Sequence, residues 1–146
     1  MEKLKYKYEK FAKSLFALEK AISVFECQNI PEHLKDYLIT SIIKHYEMCY
    51  ESAWKFLKLY LEKEYEIKLD SPKKVVRECY KLQIIDENTT NELFKIGDSR
   101  NATVHDYDQE NAYIISQSIR NYYDTLYRLN ELILKKLTNF RLVTKS

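Results

Sequence analysis

Glycine occurs once in this 146-residue chain and proline twice. All-β folds turn often and need many more chain breakers, and phosphate-cradling loops need glycines in clusters. P-loop and Rossmann chemistry are therefore excluded. Cysteine is also sparse: Cys27, Cys49 and Cys79 are odd in number, widely spaced and include no C-x-x-C pair, which suits buried thiols in a reducing cytosol. No apolar run approaches the roughly 18 residues that a membrane-spanning helix needs. The start, MEKLKYKYEKF, alternates charge with aromatics where a signal peptide carries an apolar stretch. A soluble, cytoplasmic protein without membrane association is expected. An excess of one charge is missing too: 24 basic and 22 acidic residues leave a net +2, too balanced to announce nucleic-acid binding.

What is present reads as helix. The chain is 45% hydrophobic and 32% charged, which is globular, and its length suits one domain, 1–146, around one core. The spacing predicts a first helix over about residues 3–28, with Leu4, Phe11, Leu15, Leu18, Ile22 and Phe25 as its apolar stripe. NIPEH interrupts it, and Pro31 fits a first helical turn. A second helix covers about 32–64, where Leu34, Leu38, Ile42, Cys49, Ala53, Phe56 and Tyr60 recur at steps of three and four. DSPKKVVREC starts a short third, with Ser71 as N-cap and Pro72 at the first helical position. TTNELF starts a fourth: Thr89 and Glu92 have capping-box spacing, and the helix ends near His105. Asp108 is the expected cap of a fifth, about 109–138, whose seam is Ala112, Ile115, Ile119, Tyr122, Leu126, Leu129, Ile133 and Leu137. The expected fold is all-α, an antiparallel up-and-down bundle of three long and two short helices.

Two weaker chemical patterns have plain alternatives. The 13 tyrosines and Trp54 suit a stacking surface for bases, yet their helical spacing suits core aromatics with polar tips in water better. His45 and Cys49 stand one turn apart like two metal ligands. No third ligand follows at a recognisable spacing, so no metal site is expected.

RNATVHDY, residues 100–107, is different. A His near its neutral pKa can take a proton from a ribose 2′-hydroxyl, and an Arg can hold phosphate oxygens as charge builds. Arg100 and His105 thus suffice for RNA cleavage with the 2′-oxygen as internal nucleophile, without metal or cofactor. Asn101 can add an amide hydrogen bond. On a regular helix the two residues lie about 140° apart, so they face one cleft only if the helix frays or turns before His105. HDYD favours such a turn. A second His, as general acid, is missing, which implies that two copies meet. The same residues also have a structural reading: Arg and His complement a helix C-terminus, and Tyr107 fits a hydrophobic staple before the Asp108 cap. Lys95 and Arg100 are outnumbered by Asp98, Asp106, Asp108 and Glu110, so a phosphate site needs help from a second subunit or from Lys and Arg on neighbouring helices.

RNATVHDY matches the R-x4-H-x-Y motif of HEPN-domain toxins of the HepT type, a family also labelled nucleotidyltransferase substrate-binding proteins. YEMCYESAWKFLKLYL resembles the family's second-helix signature, SPKKVVRECYKLQIID its short third helix, and LFKIGDSRNATVHDYDQENA its active-site segment. Together they cover about residues 46–112. The departure is at Cys49-Tyr50, where a small residue such as Thr and then an aromatic are expected. The resemblance implies a homodimeric, metal-independent RNase with two Arg/His motifs facing across a cleft. It also implies an MNT-type nucleotidyltransferase antitoxin that uses ATP to adenylylate the motif Tyr. By position, Arg100 and His105 are then catalytic, Asn101 supports them, Tyr107 is modified, and Glu51 reaches the cleft from the second helix. The rival reading is a non-catalytic subunit that presents a substrate to the nucleotidyltransferase; a plain helical scaffold is a third.

Overall fold

A computed structural model describes the backbone of residues 2–27, 29–105 and 109–145, and their side chains except at 102–105, 109–113, 115–116 and 139–145. Its helices are α1 (Glu2–Glu26), α2 (Glu32–Tyr65), α3 (Pro72–Lys81), α4 (Glu87–His105) and α5 (Gln109–Lys145). No strand occurs among the described residues, and none of their helices is long and apolar enough to cross a membrane. The all-α bundle read from the periodicity is the fold. Long α1, α2 and α5 pack on one another, while short α3 joins α2 and α4, and α4 joins α2 and α5.

The stripe on α1 is buried as its spacing requires: Leu4, Phe11, Leu15, Leu18 and Ile22 all face the core. Burying one such side chain stabilises by about 1.5–3 kcal/mol. On α2 the stripe is wider than the sequence implied. Ile39, Ile43, Tyr46, Tyr50, Leu57 and Leu61 are buried beside Ile42, Cys49, Ala53 and Phe56, whereas Leu34 remains 41% exposed. The reason is position: α2 touches all four other helices, so one face cannot serve.

Helix starts follow side-chain chemistry, with two corrections. Ser71 accepts the Lys74 backbone N–H and Pro72 opens α3, as read from the sequence. Thr89, however, does not cap α4. Asp86 does, its Oδ1 accepting the Thr89 backbone N–H at 2.7 Å, so the helix begins at Glu87. Asp outcompetes Thr as a cap because its carboxylate also favours the positive end of the helix dipole. Pro31 precedes α2 as its N-cap instead of sitting in the first turn. At the other end, α5 runs to Lys145, beyond the expected 138. Asp108, its expected cap, lies outside the described residues, as do the side chains of Ala112 and Ile115.

Candidate functional site

The site is built where α4 crosses α2, and the chain's one glycine sits at the crossing. Gly97 has no positive φ, so its use is space and not turning. A β-carbon there would lie 2.5 Å from Tyr50 Oη and 3.1 Å from its Cζ. Tyr50 is buried, and that burial pushes its phenol up to about 12 against the opposing charge of Arg100. One turn away, the Tyr46 hydroxyl donates to the carbonyl of Ile96 at 2.6 Å. The Tyr46 ring stacks on Tyr122 with centroids 5.7 Å apart, and the Tyr122 hydroxyl meets that of Ser99 at 2.9 Å. Burial holds the Tyr46 phenol far above its ordinary value, so it stays a neutral donor. Three tyrosines thus grip residues 96–99, the turn that delivers Arg100.

The grip predicts a mutant pair. Gly97→Ala gains about 1 kcal/mol of helix propensity but costs about 1–3 kcal/mol by overpacking against a buried ring, so a net loss is expected. Adding Tyr50→Phe removes the nearest atom and should recover part of it. Thermal unfolding of the single and double variants checks this; a Gly97→Ala protein as stable as the parent would mean that the crossing has slack.

Arg100, three residues past Gly97, donates from Nη2 to Glu51 Oε2 at 2.9 Å and from Nη1 to Asn101 Oδ1 at 3.2 Å. Glu51 also accepts the Trp54 indole N–H at 3.1 Å and pairs with Lys55 at 3.2 Å. Burial alone would raise the Glu51 carboxyl. Hydrogen bonds from Trp54 and Lys55 and the charges of Arg100 and Lys55 outweigh it and hold the carboxyl below its usual range. A depressed carboxylate keeps its pairing at neutral pH and loses it only as pH falls through the lowered pKa. Around neutrality Arg100 is therefore held in one orientation.

Glu51 and Arg100 stand in the wall between two clefts. One, of about 460 Å³, is walled by Tyr50, Trp54, Phe94 and Gly97, with Asp70, Ser71, Lys73 and Asn101 at its polar side. The other, of about 270 Å³, opens between α1 and α2 and is rich in lysine. An anion entering either meets a guanidinium already aimed by Glu51.

The structure brings together Glu51, Arg100 and Asn101 of the residues singled out in the sequence. It also corrects the path of the chain between Arg100 and His105. The helix does not fray before His105; α4 is continuous to that residue. Ala102 is a strong helix former and carries the turn on. Positions 100 and 105 are then about 140° apart round the axis. The His105 side chain and all of Tyr107 lie outside the described residues. The His45–Cys49 pair is divided between two environments. His45 Nδ1 lies 2.7 Å from the Ser41 carbonyl, whereas Cys49 is buried in the core, where burial pushes its thiol up to about 12. No group of three or more potential ligands occurs among the described residues. The cleft lysines answer the expectation of cations from neighbouring helices, but the sequence does not single them out, because charges on amphipathic helices ordinarily mark only the solvated face.

Solved structures share this fold. A protein of Thermus thermophilus aligns at 24% identity with a TM-score of 0.69, covering 87% of this chain and 98% of that one. A tri-AMPylated Shewanella oneidensis HEPN toxin, in complex with its MNT antitoxin, aligns at 15% identity and a TM-score of 0.72 over 90% of this chain and 96% of that one. A mutant MntA–HpeT toxin–antitoxin complex contains a chain similar at 16% identity and a TM-score of 0.75, over 92% of this chain and 99% of that one. Among curated proteins none matches. The profile of one family matches residues 6–135, nearly the whole bundle including the α2–α4 crossing, and the chain belongs to that family, described as nucleotidyltransferase substrate binding protein like.

Proposed function

We propose that this chain is the toxin of a toxin–antitoxin pair: a metal-independent endoribonuclease, acting in the cytoplasm as a homodimer of one-domain HEPN subunits. The observation that carries the reading is Arg100, oriented by Glu51 beside two clefts, within an Arg-x4-His stretch on a fold shared with HEPN toxins solved in antitoxin complexes. In the proposed reaction His105 takes the proton of a ribose 2′-hydroxyl, and the 2′-oxygen attacks the adjacent phosphorus. Arg100 holds the phosphate oxygens, and Asn101 helps to hold Arg100. The P–O5′ bond breaks, giving a 2′,3′-cyclic phosphate and a 5′-hydroxyl that takes a proton. One Arg and one His about 140° apart on a regular helix are a reason to place a second copy opposite, supplying the other acid–base partner. The partner antitoxin is a minimal nucleotidyltransferase that adenylylates Tyr107.

Protein prepared without its partner should cleave single-stranded RNA equally well with and without EDTA, leaving cyclic-phosphate ends. Strong inhibition by EDTA would overturn the metal-free chemistry. The family description favours a second reading, a non-catalytic subunit that presents a substrate to a nucleotidyltransferase. That reading requires no RNA cleavage at all, so the same assay separates the two.

A further inference from the structure

The cleft between α1 and α2 has a charge that the rest of the motif region lacks. Lys7 and Lys10 reach it from α1, Lys44 and Lys55 from α2, and Arg100 from α4. The carboxylates there are Glu47 and Glu51, and Glu51 is engaged by both Lys55 and Arg100. Among the described residues Lys7, Lys10 and Lys44 form no ion pair. These three like charges converge from two helices on one concavity, where a solvated helix face would hold them apart. Met48 and the stem carbons of the lysines supply apolar walls, and Ser52 adds a hydroxyl. Repulsion among the ammonium groups is relieved most by a ligand with several negative charges in a row.

We infer that this groove is a binding track for the phosphodiester backbone of a single RNA strand, continuing from the phosphate held at Arg100. Arg100 lies in the wall of the groove, so a phosphate seated on its guanidinium places the neighbouring phosphates among Lys44, Lys7 and Lys10. The same cations supply what the acidic surroundings of the motif do not: Lys95 and Arg100 stand there against four carboxylates. The groove's lining is chiefly lysine, which meets phosphates, and among the described residues it holds no side-chain amide that could read a base edge. It therefore contributes affinity and strand direction, with little choice of sequence. The inference rests on the ribonuclease reading for its scissile phosphate, but the groove's binding can be measured separately.

The test uses full-length protein carrying His105→Ala, with and without Lys7→Gln, Lys10→Gln and Lys44→Gln together. A labelled single-stranded RNA of about 12 nucleotides is titrated by fluorescence anisotropy over a series of salt concentrations. Each lost phosphate contact on a single strand lowers the slope of log K against log salt by about 0.7, so the triple variant should lose about two units of slope. A control triple, Lys63→Gln, Lys68→Gln and Lys81→Gln, makes the same change in net charge away from the groove and should leave the slope nearly unchanged. Equal losses in both triples, or none in the groove triple, would overturn the inference. In protein with His105 intact, the groove triple should lower kcat/KM for the same long RNA at least about tenfold while sparing a dinucleotide, which is too short to reach the lysines. If no RNA is cleaved by the parent yet the groove triple still loses its slope, the track stands and the ribonuclease reading falls. If the parent cleaves both substrates and the triple does so equally well, the ribonuclease reading stands and the track falls.

Discussion

His105→Ala is expected to abolish RNA cleavage while leaving the bundle folded. Under the proposed chemistry the imidazole is the base that frees the 2′-oxygen, and losing a positioned general base costs typically about 10²–10⁴ in rate. The effect on stability should be far smaller. His105 is the last residue of α4, where a cationic imidazole gains at most about 1–2 kcal/mol from the helix dipole. Arg100→Lys should fail nearly as badly, for a different reason. Glu51 and Asn101 hold separate arms of the planar guanidinium, and an ammonium cannot keep both contacts and still present two parallel donors to a phosphate. Its loss should fall in the range of about 10²–10³ seen when one transition-state donor is removed. Single-turnover cleavage and thermal unfolding, measured on the same preparations, separate chemistry from folding. Full activity in both variants, or growth arrest by both when expressed without the partner, would end the ribonuclease reading.

Tyr107→Phe is expected to keep full cleavage but to escape silencing by the partner. Tyr107 follows His105 by two residues in the sequence. In the proposed modification its phenol oxygen attacks the α-phosphorus of ATP bound to the nucleotidyltransferase. The α–β phosphoanhydride breaks, pyrophosphate leaves, the phenol proton passes to a base, and tyrosine carries a phosphodiester-linked adenosine. That group brings a negative charge and the bulk of a nucleotide close in sequence to Arg100. Its phosphate competes with RNA phosphate for the guanidinium, so inhibition needs no change of fold. Co-expression with the partner should add mass in whole adenylate units to the peptide containing Tyr107 and remove RNase activity. The Phe variant has no nucleophile and should stay unmodified and active. If Tyr107→Phe is controlled normally and no adenylate appears, the partner acts by covering the site, and the substrate-presenting reading gains.

The sequence by itself determined the five helices, their order and the all-α class. Those depend on a periodicity set within one or two turns and on the near absence of breakers. It determined Ser71 and Pro72 as a helix start for the same reason, since cap and N–H are three residues apart. Even local chemistry was ambiguous where two caps competed, as Asp86 and Thr89 did. What packing alone decided lies further apart along the chain. Leu34 has the same spacing as the buried stripe of α2 but stays 41% exposed, while Tyr46 and Tyr50 are buried against Ile96 and Gly97 of α4. The sequence counts the single glycine only as a scarcity of breakers; the crossing alone shows that a β-carbon there would meet Tyr50. Arg100 was legible as a candidate from its motif, but its carboxylate partner stands 49 positions earlier, and no local pattern joins them. The lysine groove is the extreme case. Lys7, Lys10, Lys44 and Arg100 belong to three helices and share a concavity only after those helices pack, because which face meets which is decided by the whole core and not by any one segment.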